Sequence, residues 1–530
     1  MLLGNFPRGT PYVFIIGKPS TMLRVSRNVP IVVLYSDSMT AEAPAKYEVV
    51  IGIEVHAQLL TKSKMFCSCS KDYYASEPNT HVCPVCLGMP GTLPVINRLA
   101  VEFTIMTGLA LNCTIPERAK FDRKNYPYPD LMKGYQISQF DLPLCKEGWL
   151  EVDVDGVTKR IGVTRVHLEE DTARSSHRAG EGGEGYSLID VNRSGVPLME
   201  MVSEPDVRSG KEARLYVTKL QQILRYLGVS QANLDEGNMR CEPNISLRPF
   251  GQKEFGAKVE LKNLASFRAV ELGVNYEVER QTKLLEAGEP VEQETRGWRD
   301  DKGITVSQRG KELAEDYRFF PEPDLPPLTI SSVYVEELRA KLPELPDAKR
   351  ARFMNDYGLT PYEANLLTTS RARGDFFEET VAEDAGDKQP ERAKTVANWM
   401  LGDFARLLNA SGIEIEESKV TPAGLRALVV LIEAGTISTT GAKGVFEQMF
   451  ELGKAPGDIV SEQGLTQISV ADELTEVIEK VIANNEKPVA DFKGGKEEAI
   501  KFLVGQVMRE TRGRAKPDLV HDLLREHLSS

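Results

Sequence analysis

Glu54 and His56 stand two residues apart in a stretch where apolar and polar residues alternate strictly. The alternation over residues 51–59 has the period of a half-buried β-strand, so Glu54, His56 and Gln58 would share one face. A carboxylate and an imidazole on one strand face can both reach a single cation. Taken alone, the stretch is explained equally well by an exposed polar face with no role.

Two further strand-like stretches would carry the same kind of polar face. They present Glu242, Asn244, Ser246 and Arg248 from residues 241–248, and Lys258, Glu260 and Lys262 from residues 257–262. If these strands share a sheet, carboxylates, an amide oxygen and ammonium groups gather on one side. Such a set suits Mg²⁺ and a polyphosphate, because the metal and lysine charges offset the phosphate charge. The alternative is a ladder of cross-strand Glu–Lys pairs on a solvated face. The repetition favours the site.

A fourth strand-like run, residues 161–170, ends in the paired Glu169 and Glu170. Alternation breaks at this pair. Periodicity therefore leaves open which of the two carboxylates points toward the other acidic side chains.

Four cysteines lie in two close pairs separated by thirteen residues: Cys67, Cys69, Cys83 and Cys86. Two short turns that each supply two thiolates predict a structural zinc site with no open coordination position. The alternatives are four reduced thiols or two disulfides. The remaining cysteines are isolated and expected to be buried or inert, namely Cys113, Cys145 and Cys241.

The chain has 530 residues, 41% hydrophobic and 27% charged, with a formal net charge of −13. This length allows two to four domains, and the composition is that of a soluble globular protein. The negative charge argues against indiscriminate nucleic-acid binding but leaves room for a local basic patch. No apolar run approaches the length needed to cross a bilayer.

The first 46 residues form an atypical extension, with basic residues and no acid before Asp37. An organellar transit peptide has this composition. A mis-called start codon, with Met39 as the true first residue, is favoured because the segment has no clear amphipathic helical period. We therefore predict that this extension, disordered or not expressed, lies outside the fold.

The periodicities predict an α+β protein with strands first and helices later. Residues 47–335 read as a strand-rich domain that ends in a proline-rich linker at 319–327. Residues 336–455 and 456–530 read as two helical modules. The predicted helices cover residues 95–112, 211–227, 265–287, 393–409, 471–484, 496–511 and 517–528.

Two segments mix features suited to nucleic acid with simpler explanations. Residues 120–135 combine cations, tyrosines and prolines, which suits base stacking and phosphate binding or a Pro-ordered surface loop equally. Near the C-terminus a basic cluster could contact phosphate or could merely form a solvated helix end. That cluster comprises Arg509, Arg512, Arg514 and Lys516.

Six motifs, in order between residues 51 and 267, resemble the GatB family, the B subunits of bacterial aspartyl/glutamyl-tRNA amidotransferases, and the resemblance covers residues 47–530. The motifs are IGIEVHAQL, FDRKNYPYPDLMKGYQISQ, HLEEDTARSSH, DVNRSGVPLMEMVSEPD, RCEPNISLRP and VELKNLASF. The resemblance implies a cradle-shaped mixed β-sheet catalytic domain with kinase and transamidase activity. A helical domain and a small tail domain that binds tRNA would follow.

The resemblance also implies an activity. A GatB protein uses ATP and Mg²⁺ to phosphorylate the side-chain carboxylate of Glu on tRNA(Gln) or Asp on tRNA(Asn). Ammonia, released from glutamine by the GatA subunit, then displaces the phosphate. GatC completes a cytoplasmic heterotrimer. Alternatives are a GatE-like subunit specific for Glu-tRNA and a non-catalytic zinc-containing tRNA-binding subunit.

Family site residues carry over by position. The implied catalytic residues are Glu54, His56, Glu170, Lys124 and Lys133, with the lysines near the phosphates or the ammonia exit. The implied Mg²⁺ ligands are Glu54, His56 and Glu170, so the resemblance selects Glu170 from the ambiguous pair. The implied cofactor-binding residues are Glu242, where the family often has Asp, together with Asn244, Glu260 and Lys262.

Overall fold

An eight-stranded mixed sheet organises the first half of the chain in this computed structural model. The structure describes residues 13–14, 31–32, 46–179, 185–310, 317–382, 389–465, 471–511 and 515–529. From edge to edge the strands are β15 (Ile304–Gly310), β14 (Glu294–Arg299), β13 (Val259–Lys262), β12 (Met239–Pro249), β3 (Tyr47–Gln58), β11 (Pro197–Ser203), β8 (Val157–Glu170) and β7 (Cys145–Val154). Neighbours pair antiparallel except β13 and β14, which are parallel.

Three helices cover one face of this sheet and enclose the main core: α1 (Arg98–Ala110), α2 (Gly210–Leu227) and α3 (Phe267–Glu286). The predicted alternation in β3 is confirmed, because Ile51, Ile53, Val55 and Ala57 are at most 1% exposed and pack in this core. The opposite, polar face of the strands lines a cleft.

Smaller strand groups surround the large sheet: β1 (Val13–Phe14) with β2 (Ile31–Val32), β4 (Arg118–Ala119) with β17 (Leu328–Thr329), β9 (Arg174–Ala179) with β10 (Gly185–Asp190), and β5 (Asp122–Asn125) between β6 (Tyr135–Ser138) and β16 (Phe320–Pro321). The β5–β6 pair contacts β8, which brings it to the polar side of the sheet.

The segment predicted as a linker is tied to the sheet domain. Phe320 and Pro321 pair with β5, and Arg123 donates two hydrogen bonds of 2.7 Å to the Glu322 carboxylate. The prolines therefore order an extended segment that packs on the domain, with Leu325 buried in its core.

The second half of the described chain is helical, so the α+β prediction is confirmed. Its helices are α4 (Ser332–Arg339), α5 (Pro346–Tyr357), α6 (Pro361–Leu367), α7 (Arg371–Val381), α8 (Gln389–Trp399), α9 (Ala405–Ser411), α10 (Pro422–Glu433), α11 (Thr439–Leu452), α12 (Pro456–Gln463), α13 (Ala471–Asn484), α14 (Glu486–Lys493), α15 (Ala499–Glu510) and α16 (Pro517–Ser529). A π-helical turn at Met400–Phe404 joins α8 to α9 and interrupts the single helix predicted over 393–409. Helices α13, α15 and α16 match predicted helices, whereas the others in this half lie in the predicted helical modules without bounds of their own. Two buried clusters, one from Phe353 to Val460 and one from Leu474 to Leu528, are separate from the sheet core.

Helix α2 fastens the sheet domain to the helices that follow. Tyr226 Oη and Gln222 Nε2 both donate 2.7 Å hydrogen bonds to the carbonyl oxygen of Thr368, and Lys219 pairs with Asp347. Among the described residues, no helix combines the length and apolar character that crossing a bilayer requires. Most of the predicted 1–46 extension, together with Arg512 and Arg514 of the basic cluster, lies outside the described residues.

Candidate active site

Strand register brings acidic and imidazole side chains together on the polar face of the sheet. Glu200 in β11 lies directly opposite both His56 in β3 and His167 in β8, and Glu54 lies opposite Glu242 in β12. Directly opposed residues in antiparallel strands point to the same face, so these side chains meet above the sheet.

The first group is built around His56. Its Nε2 atom lies 3.5 Å from a Glu200 oxygen and 3.8 Å from a Glu169 oxygen, while His167 Nε2 lies 3.1 Å from Glu200. Ser138 Oγ donates a 3.1 Å hydrogen bond to Glu169. The ligand atoms of His56, Glu169 and Glu200 lie within 4.8 Å of one another, close enough to hold one cation.

Glu169, rather than Glu170, therefore joins His56. The resemblance selected Glu170. In the structure, side chains alternate between the two faces at the end of β8, so His167 and Glu169 share the polar face and Leu168 between them is buried in the core. Glu170 points away from this face: Lys133 Nζ lies 2.7 and 2.8 Å from its two oxygens, and the Ile137 amide donates a 3.0 Å hydrogen bond to it. The structure thus brings Lys133 and Glu170 together in a separate place.

The second group lies beside the first and contains Glu54, Glu242 and Glu260, again within 4.8 Å of one another. Asn244 Nδ2 donates a 3.0 Å hydrogen bond to Glu54. Lys262 Nζ lies 3.2 Å from Glu242 and 3.7 Å from Glu260. The four residues expected to bind the cofactor therefore converge, namely Glu242, Asn244, Glu260 and Lys262. Glu54, which the resemblance grouped with His56 and Glu170 as an Mg²⁺ ligand, lies with Glu242 and Glu260 instead.

The close packing of carboxylates shifts pKa values in both groups. Burial and the neighbouring Glu200 raise the pKa of Glu54 above its ordinary value. Burial opposes a charged imidazole at His56, yet Glu200, Glu169 and Glu242 raise the pKa of His56 to about 9. The buried Nδ1 atom of His56 has no hydrogen-bond partner among the described residues. A bound cation would relieve the repulsion among these carboxylates, so the donor set fits hard metal ions.

Lys124 from β5 closes the cleft over the His56 group. Its ammonium lies 4.8 Å from the Tyr317 ring centroid. Burial opposes its charge, but Glu169 and Glu200 raise the pKa of Lys124, which keeps it cationic. The carboxylates of both groups, His56 and Lys124 line one cleft of about 380 Å³.

Asp171 closes one end of this cleft. It is 3% exposed and accepts hydrogen bonds from Arg240 Nη1 at 3.2 Å and Gln58 Nε2 at 2.8 Å, while Arg193 Nε lies 3.6 Å away. Burial works against its charge, but Arg240 and Arg193 lower the pKa of Asp171. The carboxylate therefore ties β3, β12 and the segment before β11 together.

We expect Asp171→Asn to lower the free energy of unfolding by about 1–3 kcal/mol, because charge-assisted hydrogen bonds in a buried site are weakened. Urea denaturation measures the change. Asp301→Asn, which removes an exposed pairing with Arg299, is the control and should cost less than about 0.5 kcal/mol. Equal effects of the two variants would contradict this role for Asp171.

The four clustered cysteines converge at a second site. Cys86 Sγ lies 3.6 Å from Cys67 Sγ and 3.7 Å from Cys83 Sγ, and all four sulfur atoms lie within 4.8 Å of one another. Tetrahedral zinc with Zn–S bonds of about 2.3 Å separates its sulfurs by roughly 3.8 Å, so the spacing fits a four-thiolate metal centre.

A fully buried lysine packs against this four-cysteine cluster. Lys64 Nζ donates to the carbonyl oxygen of His81 at 2.8 Å and to Cys86 Sγ at 3.4 Å. The hydrogen bond from Cys67, together with the Lys64 charge, lowers the pKa of Cys86 and favours its thiolate. The isolated cysteines are buried as predicted, and burial raises the pKa of the Cys113 thiol to about 12.

Sequence reasoning missed Glu169, His167 and Glu200 as members of the His56 group. Glu200 had a usable signal, because it is the single charged residue inside the otherwise apolar run of β11. A lone buried acid in a central strand requires a partner. The sequence could not identify its partners, His56 and His167, because they are known only from the register of three strands.

One face of the sheet carries two carboxylate groups and lysines around a cleft. This arrangement is typical of an enzyme that binds phosphates together with metal cations. A family model described as the GatB/GatE catalytic domain matches residues 49–336, and one described as the GatB domain matches residues 375–528. The chain belongs to the GatB family.

Curated relatives are named as B subunits of aspartyl/glutamyl-tRNA(Asn/Gln) amidotransferases. The protein of Dehalococcoides mccartyi strain CBDB1 is 55% identical over 487 residues, which are 91% of this chain and 99% of the relative. That of Thermoanaerobacter pseudethanolicus is 54% identical over 484 residues, covering 91% and 100%. That of Carboxydothermus hydrogenoformans is 52% identical over 484 residues, covering 91% and 99%.

Proposed function

We propose that this protein is the subunit of a tRNA-dependent amidotransferase that activates the side-chain carboxylate of misacylated Glu-tRNA(Gln), Asp-tRNA(Asn) or both. The observation that carries the proposal is the pair of carboxylate groups on one sheet face, in a chain whose relatives are named as B subunits of this enzyme. Amidation then converts the attached residue to Gln or Asn. A GatE-like restriction to Glu-tRNA is not favoured by these relatives.

The chemistry needs two steps. A carboxylate is a poor electrophile, because oxide would have to leave. Transfer of the γ-phosphoryl group of ATP to a carboxylate oxygen releases ADP and creates an acyl phosphate. Ammonia then forms the C–N bond, the C–O bond to phosphate breaks, and the nitrogen loses a proton as inorganic phosphate departs.

Two cation positions follow from the two carboxylate groups. His56, Glu169 and Glu200 would hold one Mg²⁺, and the Glu54, Glu242 and Glu260 group would hold another. When bound, Mg²⁺ neutralises phosphate charge and orients the nucleotide. The Lys124 and Lys262 side chains supply further positive charge where two anions must meet.

A second cavity of about 240 Å³ beside Glu54 suits the nucleoside of ATP. Phe255 at its edge is 61% exposed and offers a ring face for stacking a base. Asn244 Oδ1 and Ser246 Oγ, which belong to lining residues, are buried without hydrogen-bond partners among the described residues. A bound nucleotide would run from this cavity toward the two cation positions.

The Lys133–Glu170 pair is assigned to the ammonia-dependent step. It lines a separate cavity of about 230 Å³, apart from the carboxylate groups that would handle ATP. Glu170, held by Lys133, is available to accept the proton that nitrogen loses. Ammonia would be delivered by a glutaminase partner corresponding to GatA, with a GatC-like third subunit completing the complex.

Three separate buried clusters support a division into three parts, although Leu338 packs in the sheet core and Ile459 and Val460 pack in the core of the helical domain. We assign catalysis to residues 47–335 and assign tRNA binding to the helical domain at 336–455 and the tail at 456–530. Structural zinc at the four cysteines would hold the turns at Cys67–Cys69 and Cys83–Cys86 together.

Co-expression with the two partner subunits provides the test. The purified complex is expected to form Gln-tRNA(Gln) or Asn-tRNA(Asn) from the misacylated tRNA, with hydrolysis of ATP that depends on that tRNA. Amide formation without ATP, or neither product with both misacylated tRNAs, would overturn the proposal. A non-catalytic tRNA-binding role predicts that tRNA binds but ATP turnover is absent.

A further inference from the structure

The four-cysteine centre packs directly against Lys133. The turn that carries Cys83 and Cys86 is closed by backbone hydrogen bonds and leads into Gly88, where φ is +62°. A Cβ atom on Gly88 would lie 2.7 Å from Lys133 Cγ and 3.1 Å from Lys133 Cα and N. The bare backbone of Gly88 is therefore part of the surface on which the Lys133 stem lies.

Neighbouring contacts join the same two sites. Met132 packs in the small apolar cluster that contains Cys86, together with Ala173 and Val191. Gly195 lines the same cavity, where a Cβ atom on it would lie 3.7 Å from Lys64, which contacts Cys86, and 4.0 Å from Glu170. Lys133 is thus held between the cysteine turn and its partner carboxylate, and displacement of the turn would displace the ammonium.

We propose that the four-cysteine centre positions Lys133 for the ammonia-dependent step. Metal binding fixes the turn from Cys83 to Cys86, and Gly88 then holds Lys133 Nζ on both oxygens of Glu170. Gly88 is a positioning residue that acts only through Lys133. The inference rests on the proposed function, in which the Lys133–Glu170 pair serves nitrogen transfer and the carboxylate groups serve ATP.

Gly88→Ala and Gly91→Ala form a matched pair of variants. Both glycines have positive φ, +62° and +84°, so both substitutions strain the backbone of the same segment. Nothing lies within 4 Å of a Cβ on Gly91, whereas a Cβ on Gly88 forces Lys133 to move. The comparison therefore isolates the contact with Lys133 from the cost of the turn.

In the assembled complex, Gly88→Ala is expected to lower kcat for amidation with ammonium chloride about tenfold to a hundredfold relative to Gly91→Ala. Hydrolysis of ATP that depends on misacylated tRNA should stay within about twofold for both variants. Zinc content and thermal unfolding, measured on the same preparations, report whether the metal centre and fold are intact. Equal amidation rates for the two variants, or a parallel fall of both half-reactions in Gly88→Ala, would overturn the proposal.

A double-mutant comparison keeps the test decisive if Gly88→Ala loses zinc. In a Lys133→Met background, Gly88→Ala should lower amidation no further, because Gly88 acts through Lys133. An additional loss in that background would show a purely structural effect and overturn the inference. Failure of the proposed function is distinct, because the wild-type complex would then show no ATP hydrolysis dependent on misacylated tRNA.

Discussion

Glu200→Gln is expected to lower ATP-dependent amidation by about a hundredfold to a thousandfold, because it removes a carboxylate that would hold the Mg²⁺ whose charge offsets that of the phosphates. Glu200 contacts both His56 and His167, so its charge also orients the two imidazoles. Glu54→Gln should cause a loss of similar size through the second carboxylate group. Hydrolysis of ATP that depends on misacylated tRNA, measured in the assembled complex, should fall in parallel.

Glu48→Gln is the matched control for these substitutions. Glu48 lies on the same strand and the same face as Glu54 but pairs with Arg248 at 2.8 Å, outside the two carboxylate groups. The amidation rate of the Glu48→Gln complex should stay within about twofold of the wild-type rate. If Glu54→Gln and Glu200→Gln behave like Glu48→Gln, the carboxylate groups are not the site of ATP chemistry.

Loss of one thiolate from the four-cysteine cluster is expected to have the largest effect on stability. Cys86→Ser should reduce bound zinc well below one equivalent and destabilise the sheet domain by several kilocalories per mole, because structural zinc contributes directly to folding. Among the described residues, the apolar cluster at this centre has three buried members, Cys86, Ala173 and Val191, so packing alone is a weak substitute. Metal analysis and thermal unfolding measure both effects.

Cys113→Ser provides the comparison for a buried thiol that lies outside the centre. It should retain zinc and lose only the small amount of stability that follows from a polar group in the core. A wild-type protein with well under one equivalent of zinc would remove the metal assignment. Full zinc retention by Cys86→Ser would likewise contradict a four-thiolate centre.

Local patterns in the sequence predicted most of the elements that build the cleft. Strict alternation identified β3, β12 and β13, and the glycine after Leu227 correctly ended α2, where Gly228 adopts φ +67°. Cysteine spacing alone predicted convergence of the four thiols. These features depend on residues close together in the chain, which is where period and capping rules apply.

Those rules cannot predict strand register or long-range packing, because both depend on residues far apart in the chain. In β8 the pairing skips one residue between Val163 and Arg165, a bulge that changes which residues face the core. The resemblance then selected Glu170, although the bulged strand turns Glu169 toward His56 and leaves Glu170 beside Lys133. Glu200 was missed for the same reason, because its two histidine partners lie on different strands.

An isotope-transfer measurement tests the central claim most directly. The assembled complex is given glutamyl-tRNA whose side-chain carboxylate carries ¹⁸O at both oxygens, together with ATP and ammonia, and the released inorganic phosphate is analysed by mass spectrometry. Activation through an acyl phosphate predicts that one ¹⁸O atom appears in the phosphate for each amide formed. Amide formation with unlabelled phosphate would contradict the account.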